Sequence, residues 1–179
     1  MAFLATMSVL RSATWQTRHH DPSHQKCQNN RAVNAFHPDP EIVALGVRQP
    51  WVELILRGVK TIEIRSQNTR VRGTIYLYAS KKFSELPAAV DAAQAHDLDF
   101  PSLATGLLVG SVEISGTRPA LVCDAGPACV PATFLKQQFA WELRNPQRFR
   151  QPVPVRFLPY GVWFYPFRRR HIPARRRLK

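Results

Sequence analysis

The chain has 179 residues, 45% of them apolar and 21% charged, which gives room for one ordinary domain with a core and excludes wholesale disorder. Lys and Arg number 25 against 12 Asp and Glu, a formal net charge of +13, and a surplus of that size points to an anionic partner, nucleic acid before membrane surface. Residues 1–40 carry net +2, residues 41–166 net +4 and residues 167–179 net +7, so more than half of the excess lies in the last thirteen residues.

Residues 1–40 show no sustained period and are read as a flexible leader ending at His37-Pro38-Asp39-Pro40, where two prolines forbid a helix. The apolar run at 2–10 is short, broken by Thr6 and Ser8, and has no basic segment before it. It reads neither as a membrane span nor as a signal peptide, while the acid-free start with Arg11 and Arg18 leaves a transit peptide open. His20, His24 and Cys27 stand at metal-ligand spacing, but Pro22 separates the histidines and no second ligand cluster follows. The solvated leader is the preferred reading, and no metal is expected. Cys27, Cys123 and Cys129 are odd in number and form no C-x-x-C pair, so a reducing, cytoplasmic setting is expected rather than a disulfide scaffold.

From Glu41 the pattern changes. Residues 42–47 form an apolar run of strand length. Gln49-Pro50-Trp51 opens a helix, with Pro at the first turn, where its missing N–H costs nothing. Trp51, Leu54 and Ile55 share one helical face, and Gly58 supplies the left-handed stop. Residues 61–65 alternate, so Ile62 and Ile64 face a core while Thr61, Glu63 and Arg65 share the other face. Residues 73–80 are a further strand, ending in Lys81-Lys82. Ser84 caps a helix running to about Asp97. Residues 107–114 are a buried strand, 119–131 a loop, and 134–143 a helical turn leading into an aromatic strand. Asn145-Pro146 marks a turn, 152–157 an extended piece and 161–164 a last strand stopped by Pro166. Residues 167–179 are read as a basic disordered tail.

Five or six strands with two early helices describe an α+β fold, a small mixed barrel, better than a parallel sheet. No G-x-G-x-x-G, Walker, H-E-x-x-H or G-x-S-x-G motif occurs, which removes the commonest nucleotide-binding and hydrolase readings, and no cofactor is expected.

The stretch from Leu45 through Gln49-Pro50-Trp51 to Gly58, Lys60, Glu63 and Arg65 resembles the ASCH family of the PUA-like superfamily. The hallmark is a helix after Q-P-W, then G-x-K-x-x-E-x-R entering a strand. Residues 107–114, Phe139 to Leu143 with Asn145-Pro146, and Gly161-Val162-Trp163 look like its later strands, so the resemblance covers 41–166. It implies a small β-barrel with helices over one side, a cleft between them, and binding of RNA or another nucleic-acid component. One branch resembles an amidohydrolase of acetylated cytidine using a Lys, a Thr three residues later and a Glu on a later strand. Lys60 and Glu113 would match the Lys and the Glu, but Glu63 stands where that branch has Thr. Thr61 lies two residues away.

Lys60, Glu63 and Arg65 read either as solvated strand charges or as a cleft set for phosphate, carboxylate or a base edge. Trp51 stacks a base or packs in the core; Gln49 is a cap or a contact at the cleft mouth; Arg48 gathers phosphate or is simply exposed. Tyr76 and Tyr78 share a face, in the core or as a stacking platform. Ser80, Lys81 and Lys82 lie at a strand end suited to phosphate. Glu113 is paired or functional. The leading expectation is an RNA- or nucleotide-binding module, with a modified nucleoside among the candidate ligands. The alternatives are a hydrolase using Lys60, Glu63 and Glu113, and a protein-interaction adaptor.

Overall fold

A computed structural model describes residues 38–159 and 161–169. The leader with its His20, His24 and Cys27, and the tail beyond Arg169, lie outside the described residues.

Strand β1 (Ala44–Val47) leads into helix α1 (Trp51–Leu56), and β2 (Ile62–Arg65) follows. Strand β3 (Gly73–Ala79), helix α2 (Pro87–Ala95) and the long strand β4 (Leu107–Pro119) come next. A short helix α3 (Ala125–Ala128), flanked by two 3-10 turns, precedes β5 (Phe139–Val153) and β6 (Trp163–Phe164). The six strands form one sheet in the order β2-β5-β4-β3-β1-β6. Only the β1–β3 pair is parallel.

The sheet is curled. Trp141 on β5 stacks on Trp163 on β6, with centroids 5.5 Å apart, although three strands separate β5 from β6 in the sheet. Arg65 at the end of β2 donates from Nη2 to the carbonyl of Gly46 on β1, 3.1 Å away, so a side chain bridges two strands near opposite margins. Register shifts explain the bending: three interrupt the β4–β5 ladder and one the β3–β4 ladder, and each bulge adds local twist.

Helix α1 is covered almost all round. Trp51, Val52, Leu54 and Ile55 join Leu45, Ile75, Leu77, Val112, Ile114 and Trp141 in the main core. Gly58 has φ +73, and the N–H of Val59 returns to the carbonyl of Leu54 at 3.0 Å. That closure of the helix end needs the left-handed residue expected at Gly58, and it delivers Lys60 into the interior.

Three expectations change. Asn145-Pro146 is not a turn: both residues lie inside β5, where Asn145 takes φ +50, so the positive φ serves a bulge rather than a reversal. The stretch expected as loop at 119–131 contains the third helix. The chain also packs past residue 166, since Phe167 lies against the cluster of Ala44, Tyr76, Tyr78, Leu108 and Phe164. Among the described residues no helix is long and apolar enough to cross a membrane.

Candidate functional site

Strand β2 has two covered faces. Ile62 and Ile64 pack outward against Ala128, Leu135 and Ala140, beneath the 120–135 excursion. Glu63 lies across from Trp141 of the main core, so the charged alternate of the strand points into the curl. The apolar half of the alternation is as expected; the face opposite it is interior rather than solvent.

A cleft of about 500 Å³ opens along the seam between β1 and β2. Gly46, Val47, Arg48 and Trp51 line it from one side, and Lys60, Glu63, Ile64 and Arg65 from the other. Three basic groups thus face one carboxylate. Lys60 is only 3% exposed, which contradicts its reading as a solvated strand charge. Its Nζ donates to the carbonyl of Ala128 at 2.6 Å, stands 3.5 Å from Glu63 Oε2, and lies 5.3 Å from the Trp51 ring centre. Burial pulls the Lys60 pKa below the ordinary lysine value, and the Glu63 carboxylate only partly restores it.

Arg65 carries the other half of the set. Its Nε is 2.9 Å from Glu63 Oε1, yet the N–H is not aligned with that oxygen, and Nε is a buried donor without a hydrogen-bond partner among the described residues. The short distance makes an ion pair that holds the guanidinium against the carboxylate of the cleft. The guanidinium also stands 5.8 Å from the Trp141 ring centre.

The remaining expected residues divide. Arg48, Trp51 and Ser80 line the cleft with Lys60, Glu63 and Arg65, and Trp51 is a core residue as well. Gln49 does not line it. At 2% exposure it accepts from the Glu53 N–H through Oε1 and donates to the Ala104 carbonyl, so it caps α1. Lys81 and Lys82 are exposed but outside the cleft lining. Tyr76 and Tyr78 are core residues, edge-on to Phe149 and Phe164. Glu113 is not a cleft residue: its carboxylate accepts from Asn145 Nδ2 at 3.0 Å. Thr61 is exposed and also outside the lining. The set Lys60, Glu63 and Glu113 is therefore not assembled in one place.

Sequence reasoning missed the rim. Leu86, Phe134 and Val162 line the cleft while remaining 37%, 41% and 47% exposed. They come from a loop, a 3-10 turn and the approach to β6, where no periodicity marks them. An apolar rim over a charged floor suits a flat, partly apolar ligand with polar edges.

The ASCH domain family matches residues 45–153. The chain is 36% identical over 137 residues to human activating signal cointegrator 1, covering 66% of this chain and 21% of that protein. The mouse protein of the same name is 35% identical over 77 residues, 39% of this chain and 13% of its own length. The chain thus spans a minor part of these relatives. Among solved structures, the ASCH protein of Zymomonas mobilis is 15% identical, with a TM-score of 0.48 over 71% of this chain and 88% of its own. A Ser-to-Ala variant of it is 16% identical, with a TM-score of 0.47 over 72% and 90%.

Proposed function

For a chain that belongs to the ASCH domain family, we propose that the seam cleft binds RNA by holding one nucleotide, in a cytoplasmic setting. The observation that carries this reading is a cleft lined by the three basic groups Arg48, Lys60 and Arg65 around the single carboxylate of Glu63. The excess of positive charge suits a phosphate or a base-edge oxygen. Glu63 accepts from an exocyclic amine, and Phe134 or Trp51 offers a ring to a base face.

The test is titration with nucleoside 5′-monophosphates and a short RNA. Saturable binding is expected, with the RNA displacing the monophosphate. Arg65→Gln should weaken both by about 10- to 100-fold, the loss of a charge-assisted hydrogen bond. No saturable binding of any nucleotide would overturn the reading. Glu63→Gln separates a reader from a hydrolase. A reader keeps an amide oxygen as acceptor and loses little affinity, whereas a hydrolase relying on that carboxylate loses turnover by about two to four orders of magnitude. Release of acetate from an acetylated cytidine by the natural sequence would make the cleft an active site.

A further inference from the structure

The last acidic residue of the chain is Glu142, and eleven Lys or Arg follow it without one acid. Of the six described arginines in this segment, the three nearest its end lie with aromatic rings. Arg156 and Arg169 stand 5.5 and 5.7 Å from the ring centre of Phe157, and Arg168 stands 4.4 Å from that of Tyr165. The backbone N–H groups of Arg156 and Phe157 both donate to the Pro166 carbonyl, so the segment between them closes at its base. Val162, within that segment, lines the cleft, and none of the arginine–aromatic pairs does. All three arginines are exposed. Arg168 pairs with Glu41, while Arg156 and Arg169 have no acidic partner among the described residues.

We propose that Phe157 with Arg156 and Arg169, extended by Tyr165 and Arg168, is a second surface for single-stranded RNA at the base of the segment whose Val162 reaches the cleft. The proposal shares its ligand class with the cleft reading but none of its residues. Two guanidinium groups without counter-ions attract phosphates, and each is flat enough to continue a stack begun by the ring beside it. Interleaved rings and arginines suit a strand with exposed bases better than an acidic peptide, which offers charge but no faces to stack.

The full chain is titrated with labelled U12 RNA, with uridine 5′-monophosphate as the cleft probe and with poly-glutamate as a charge control. Phe157→Leu should weaken U12 by about 5- to 100-fold, the range for one lost stacked base, with uridine monophosphate unchanged. Arg156→Gln with Arg169→Gln changes only exposed side chains, and should flatten the log–log salt slope by about 1.4, or two phosphates at about 0.7 each. Unchanged U12 affinity and slope in the arginine pair variant would overturn the surface, whatever the cleft does. Equal losses toward poly-glutamate would overturn it in favour of an acidic protein partner. If uridine monophosphate fails to bind while both U12 effects appear, the surface stands and the cleft reading falls.

Discussion

Lys60 is shaped by its surroundings against its residue type. An ammonium at 3% exposure loses water that one carbonyl and one carboxylate only partly replace. Its folded pKa therefore lies below the ordinary 10.5 that the unfolded chain keeps. Between those two values the unfolded state holds a proton that the folded state has released, so stability rises with pH, and the cost is fully present below the folded value. Cys129, Tyr76 and Tyr78 act with the opposite sign, because burial raises their pKa values. The native chain minus Lys60→Met isolates the lysine. At pH 7 the variant should be about 1–3 kcal/mol less stable to urea, through the acceptor stranded at Ala128, with Arg65 still on the carboxylate. As pH climbs toward 10.5 the native chain should gain further on the variant; a flat difference would refute the shift. At this scale the site was half legible. The spacing singled out Lys60, Glu63 and Arg65, which line one cleft, and the alternation in β2 put Glu63 and Arg65 on one face, with Thr61, which stays outside the lining. Alternation separates two faces but does not say which one the fold will cover, so the burial of Lys60 was out of reach.

The β4–β5 hairpin shows the same limit in an element. Its apolar runs made both strands visible, but bulges depend on the partner strand, which a single-chain pattern does not contain. Asn145 therefore read as a turn residue, although its positive φ serves a kink where its amide holds Glu113. Gly110 is the closest approach in the hairpin: a Cβ there would meet the Gln147 carbonyl oxygen at 2.4 Å and Leu56 at 2.5 Å. Gly110→Ala should cost about 1–3 kcal/mol, because backbone cannot yield as a side chain does. At Gly46 the nearest atoms are 3.6 Å and 3.7 Å away, and alanine there should cost less than about 1 kcal/mol; denaturant midpoints of the two variants check the ordering. Helix α1 is tied to β5 by Arg148, whose Nη2 meets Glu53 Oε1 at 2.8 Å. Burial pushes the Glu53 pKa up, but hydrogen bonds from Arg148 and Arg57 outweigh it and hold the group below 4.5. The stability from Glu53 is thus present above 4.5 and lost as pH falls through the folded value. Arg148→Met should cost about 1 kcal/mol at pH 7, a small figure because Arg148 is 48% exposed, and the penalty should shrink in acid, where native Glu53 also becomes protonated. A penalty constant from pH 7 to pH 2 would show that the pair contributes nothing through charge.

Across the whole molecule charge is distributed by sequence position. The twelve acidic residues all fall at or before Glu142, and several of them are engaged: Glu53 by Arg57 and Arg148, Glu63 by Lys60 and Arg65, Asp124 by Arg118. Internal pairing accounts for much of the central acid, so the surplus belongs to the C-terminal segment. Residues 170–179 hold five of those cations, Arg170, Arg175, Arg176, Arg177 and Lys179. If all five met phosphates the salt slope on single strands would include about 3.5 from them; incomplete engagement makes about 2–3 the expected loss on deleting 170–179. Nucleotide preference should not change, because base identity is read by edges and faces rather than by phosphate charge. The stacking contribution of Phe157 should survive as well, so Phe157→Leu should weaken U12 by the same factor in the shortened chain as in the full one. Salt titrations of the four proteins in this cycle decide the matter. A slope unaltered by the deletion would mean that the tail does not touch RNA, while loss of the Phe157 effect together with the tail would mean that the two form a single surface.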